Sequence, residues 1–160
     1  MADSSLVPVL AALGGVALAQ GVAMFQSWLD RKNKREILLR TKYEELGLLV
    51  LDSMKLPEDL LRCASHEETL TVVRQIDANK AHLLALVYFP LLRQPTGQYI
   101  ESYAALSLAS ISLYNPQDKR MLGAQVFDKQ EYIDARNAHL EARKYLQDQI
   151  ELHSTVYAKS

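Results

Sequence analysis

The stretch LVPVLAALGGVALAQGVAMFQSWL, residues 6–29, runs for 24 positions without a charged side chain. As an α-helix rising about 1.5 Å per residue it reaches roughly 36 Å, enough to cross a hydrocarbon core of ~30 Å with some tilt. Gln20 and Gln26 are its only strongly polar residues. Its leucines, valines and phenylalanine each favour insertion by about 0.3–0.6 kcal/mol. Apolar side chains surround the helix instead of forming one stripe, which fits a spanning helix better than one lying in the interface. The sequence therefore predicts a single transmembrane helix over residues 6–29, preceded by a short extracytoplasmic N-terminus, residues 1–5.

The flanks orient this helix. Residues 1–5 carry only the α-amino group and Asp3, so they do not supply the basic stretch that opens a secretory signal peptide. Arg31, Lys32, Lys34 and Arg35 follow the apolar run directly, with Arg40 and Lys42 close behind. The positive-inside rule then leaves the N-terminus outside and the C-terminal domain in the cytoplasm. Trp28 stands where an indole straddles the membrane interface, and with Arg31, Lys32, Lys34 and Arg35 it forms the expected membrane-interface set. A basic juxtamembrane segment, residues 30–42, suffices as a topology signal; contact with anionic lipid, worth roughly 1 kcal/mol per side chain near the surface, is its second reading. The layout resembles that of small bacterial single-pass proteins, which makes a bacterial inner membrane the expected address, but no motif specifies a family.

Within the span, Ala11, Gly15, Ala19 and Ala23 recur every four residues and make one smooth ridge on a helix. With neighbouring Gln20, which can hydrogen-bond across an interface, they are the candidate residues for self-association in the membrane.

Residues 36–160 read as a cytoplasmic antiparallel bundle of about four helices, making the fold class all-α. Leu39, Tyr43, Leu46, Val50 and Met54 share one helix face, so the membrane helix is expected to continue as a stalk until Pro57. Ser65 with Glu68 makes a capping-box start for a second helix carrying Val72, Val73, Ile76, Leu83, Leu84 and Val87. Ala81 to Leu92 is apolar but, interrupted by Pro90, too short to span, and is assigned to the core. After a Pro95-Thr96-Gly97 turn, Tyr99, Tyr103, Leu106, Ser110 and Leu113 begin a third stripe, closed by Asn115-Pro116. From about Lys129 to Tyr157 a final helix places Tyr132, Ala135, His139, Ala142, Leu146, Ile150, His153 and Tyr157 on one side. Period-two alternation bounded by hairpin turns does not occur.

The chemistry-bearing residues point to no reaction. A net charge of −1 supplies no bulk footprint for nucleic acid. The single cysteine, Cys63, rules out an internal disulfide. No Glu-x-x-His pair suits a di-metal bundle, and Cys63 with His66 offers two zinc ligands where a structural site takes four. His139 and His153, on the apolar face of the last helix, fit satisfied core histidines better than proton shuttles. Gly14-Gly15 lies inside the span and no Walker-type lysine follows it. No cofactor and no metal are expected. The expected function is a membrane-anchored, non-enzymatic interaction or assembly module, its partners the lipid bilayer and a protein partner or second copy of itself. A small membrane-active or pore-forming protein of a phage, toxin or defence system is the alternative, motivated by Gln20, Gln26 and the small-residue ridge. An enzyme whose site assembles only in three dimensions is the third reading.

Overall fold

The computed structural model describes residues 6–73 and 77–158, with side chains described from residue 20 onward. Among the described residues every regular element is helical and no strand occurs, so the all-α class is found as expected. The elements are α1 (Leu6–Ser53), α2 (Leu56–Arg62), α3 (His66–Val73), α4 (Asp77–Tyr88), a 3₁₀ turn (Pro90–Leu92), α5 (Arg93–Ser112), α6 (Leu122–Val126) and α7 (Gln130–Tyr157). The described residues divide into two compact units, one through Leu38 and one from Leu39 onward.

In the first unit the side chains from Gln20 to Leu38 are exposed, Val22, Met24, Phe25 and Trp28 among them. Among the described residues no helix is long and apolar enough to cross a membrane. Residues 6–19, the larger part of the expected span, lie outside those whose side chains are described. Past residue 30, α1 is rich in leucine, lysine, arginine and glutamate, all good helix formers. The exposed pairs Lys32–Glu36 (4.0 Å) and Arg40–Glu44 (3.1 Å) each add about a few tenths of a kcal/mol.

In the second unit the stripe expected on α1 is the stripe that packs. Tyr43, Leu46, Val50 and Met54 are buried and Leu39 rests against them. Leu46, Leu56, Leu60, Phe89, Leu92, Leu106, Leu122 and Leu146 are fully buried, each worth about 1.5–3 kcal/mol when removed from water. At one end Tyr43, Phe89 and Tyr157 form an aromatic cluster with centroid separations of 4.9–5.5 Å, and the Tyr43 hydroxyl donates to the Ile150 carbonyl. Helix α5 packs most extensively on α7 and next on α4. Its buried Ser107 and Ser110 return their hydroxyls to the Tyr103 and Leu106 carbonyls (both 2.8 Å), so small polar residues enter the seam with their donors satisfied.

Ser65 caps α3 as expected, and Glu68 reaches back one residue beyond the cap. The Glu68 amide donates to Ser65 Oγ at 3.2 Å, and the Glu68 carboxylate accepts from the Ala64 amide at 2.7 Å. Residues 74–76, which include Ile76 of the expected second helix, lie outside the described residues; on either side of them that helix is described as α3 and α4. Two details depart from the sequence reading. Leu83 and Val87, assigned to the core, are each 61% exposed. The inward face of α4 is instead Ala78, Ala81 and Ala85, whose short side chains let the helix backbone approach α5 closely. Pro95-Thr96-Gly97 is no turn: it lies in the first turns of α5, where proline costs no hydrogen bond because the first amides have no intrahelical acceptor. Thr96 is buried there, with Oγ1 2.7 Å from the Leu92 carbonyl.

Candidate membrane-interface site

On α1, Trp28, Arg31, Lys32 and Arg35 stand at intervals of three, one and three residues, which puts them on one face. Together they line a shallow depression of about 440 Å³. The Lys32 ammonium lies 5.8 Å from the centre of the Trp28 ring, within cation–π range, and Phe25 stacks on Trp28 with centroids 6.1 Å apart and planes 23° apart. Arg31 Nε donates to the Ser27 carbonyl at 3.1 Å, which holds its stem along the helix. The carboxylate nearest the group in the described contacts is Glu36, 4.0 Å from Lys32 and half exposed.

The sequence-predicted interface set is thus largely one surface. Lys34 is exposed but lies outside the depression. Phe25, which sequence reading did not single out, belongs with it, and its spacing of three from Trp28 is the signal that identifies it. Two guanidinium forks and an ammonium beside stacked aromatic rings have donors for phosphate oxygens and ring faces for the apolar edge of a headgroup layer. The group contains no nucleophile or base. Of the self-association set, Gln20 and Ala23 are exposed, while Ala11, Gly15 and Ala19 lie outside the residues whose side chains are described.

Cys63 is buried, with its thiol 3.3 Å from the Asp59 carbonyl, and burial pushes its pKa up, away from thiolate chemistry. His82 Nδ1 is 2.8 Å from Thr96 Oγ1; because that hydroxyl has backbone carbonyls to donate to, the imidazole supplies the proton. His66 lies against the Tyr114 ring, and His153 is half-buried. His139 is fully buried between Tyr99 and Tyr103, its Nδ1 3.3 Å from Ser102 Oγ and its Nε2 without a protein partner. Burial, with Arg143 one turn along, lowers its pKa to about 4, so it is neutral at physiological pH.

The charged connection Asn115 to Arg120 closes on itself. Asp118 accepts from the Arg120 amide and guanidinium, which hold its carboxyl below the usual range. Buried Gln125 accepts from the Asn115 amide and donates to the Asp118 and Arg120 carbonyls. Among the described residues no three His, Cys, Asp or Glu side chains are grouped to hold a metal ion. No family model matches the chain, and neither the curated proteins nor the solved structures provide a match.

Proposed function

We propose that the chain is a single-pass membrane protein whose residues 6–29 span the bilayer, N-terminus outside, and whose helical unit serves as an interaction or assembly module at the cytoplasmic face. The observation that carries this reading is the Trp28–Arg35 surface, which begins at the end of the 24 residues without charge and continues into the basic residues that follow them. Exposed Val22, Met24 and Phe25 support it, because three large apolar side chains within one helical turn call for a non-aqueous cover. The module is read as an antiparallel bundle. Ser112 facing Glu131 while Ser102 faces His139 supports opposite directions for α5 and α7, and Tyr43 on Ile150 with Met54 near Gln147 supports the same for α1 and α7.

An assembly role is preferred to catalysis because Ser65 and Glu68 cap a helix, Asp118, Arg120 and Gln125 close a loop, and Cys63, Thr96 and His139 lie in the core. Purification from native membranes in mild detergent, after brief chemical cross-linking, tests it. The expected result is a stoichiometric protein partner or a homo-oligomer; a chain that purifies alone and monomeric contradicts the assembly role.

A further inference from the structure

Arg31 and Arg35 stand one turn apart on α1, about 6 Å along its axis, and share a single depression with Lys32 and Trp28. Among the described residues neither guanidinium lies within ion-pair distance of a carboxylate, and Lys32 has only half-exposed Glu36, at 4.0 Å. Arg31 commits Nε to the Ser27 carbonyl, so its terminal amino groups remain for a ligand. The Lys32 ammonium lies 5.8 Å from the centre of the indole, which keeps its charge beside the two forks. All four side chains belong to one helix of the first unit.

Three cations this close together ask more of an anion than one negative charge supplies. A guanidinium fork engages two oxygens through parallel N–H donors. A lipid phosphodiester offers two unesterified oxygens and a single charge, which one fork satisfies. A phosphomonoester offers three oxygens and a charge of about −1.5 to −2 near neutral pH, enough for both forks and the ammonium. We infer that the depression selects a lipid phosphomonoester, the headgroup chemistry of phosphatidic acid, over phosphodiester lipids. This inference rests on the anchor reading, which sets Trp28 at the membrane interface, and deepens it. General attraction to anionic lipid follows surface charge alone; selection here follows how many oxygens the phosphate presents.

Trp28 is the only tryptophan of the chain, so its fluorescence reports from within the site. The test uses the full chain reconstituted into phosphatidylcholine vesicles that also contain phosphatidic acid and phosphatidylglycerol, adjusted to one surface potential, with one lipid at a time brominated on its acyl chains near the headgroup. Selection predicts that brominated phosphatidic acid quenches Trp28 with an apparent association constant at least about two-fold above that of brominated phosphatidylglycerol. Arg35→Gln should bring the two lipids level, while Lys34→Gln, which removes the same charge from outside the depression, should keep the preference. Equal quenching by the two acidic lipids in the wild type, or equal loss of preference in both variants, overturns the selection; the anchor stands if brominated phosphatidylcholine also quenches. No quenching by any brominated lipid overturns the anchor reading and the inference together. Soluble glycerol phosphate in excess should leave the preference intact; if it abolishes the preference, the site takes a free phosphomonoester, and the lipid is overturned as its source.

Discussion

Acidification should loosen the α5–α7 seam through His139. The imidazole is fully buried, its ring centroid 5.2 Å from that of Tyr99 and 6.1 Å from that of Tyr103, and only Nδ1 has a polar neighbour. Its pKa is about 4 in the folded chain against 6.5 for the unperturbed group. Between those values the unfolded chain binds the extra proton. Stability is therefore intact above pH 6.5, falls as pH drops through 6.5, and levels off below 4. The full loss is about 3 kcal/mol, of which about 1.4 kcal/mol is reached by pH 5.5 and about 2.5 kcal/mol by pH 4.5. Urea unfolding of the full chain in detergent micelles, followed by near-ultraviolet circular dichroism of its tyrosines, measures the loss. His139→Gln carries the same carboxylates and no titrating ring, so their shared acid dependence cancels. The wild type should lose about 2 kcal/mol more than the variant between pH 7 and pH 4.5. Equal losses would refute the reasoning.

Two glycines should respond in opposite directions to alanine. Gly47 has open space around an added Cβ inside α1, less than two turns before its end, so Gly47→Ala should raise unfolding stability by about 0.5–1 kcal/mol; Gly123 would place that carbon 3.0 Å from the Leu61 carbonyl oxygen, so Gly123→Ala should lower it by about 1 kcal/mol or more. Thermal or urea unfolding of the pair decides, and a common sign contradicts the packing described. Ser65→Ala removes the capping oxygen of α3 and should cost about 1 kcal/mol, read in the same assay. Replacing Arg31, Lys32 and Arg35 together by glutamine should weaken the chain's preference for anionic over zwitterionic vesicles at least about ten-fold in flotation; unchanged preference would remove the lipid role from that surface.

Much of the helical unit was legible because its long helices obey a simple period. The stripes from Leu39 to Met54 and from Tyr99 to Leu113 pack as their spacing predicts, and the Ser65–Glu68 cap closes as its residue types require. Alpha4 was misread because hydrophobicity alone ranks Leu83 and Val87 above alanine for the core. The seam favours Ala78, Ala81 and Ala85, since close helix approach depends on side-chain size as much as on transfer energy. The proline in α5 misled for a related reason: Pro95 breaks a helix interior but suits its first turn. At the candidate interface site, charge order in the sequence singles out Arg31, Lys32 and Arg35, which share one face of α1. The stack of Phe25 on Trp28 and the position of Lys32 against the indole are matters of side-chain conformation, which spacing only permits.

The most direct test of the anchor is alkaline carbonate extraction of sealed membrane vesicles with the cytoplasmic side outward, combined with protease added from outside. The account predicts that the chain stays with the membrane pellet, and that protease removes the helical unit while leaving a fragment containing residues 6–29 embedded. A chain released intact into the carbonate supernatant, or one whose helical unit is protected until the vesicles are opened, would contradict the span in the first case and its orientation in the second.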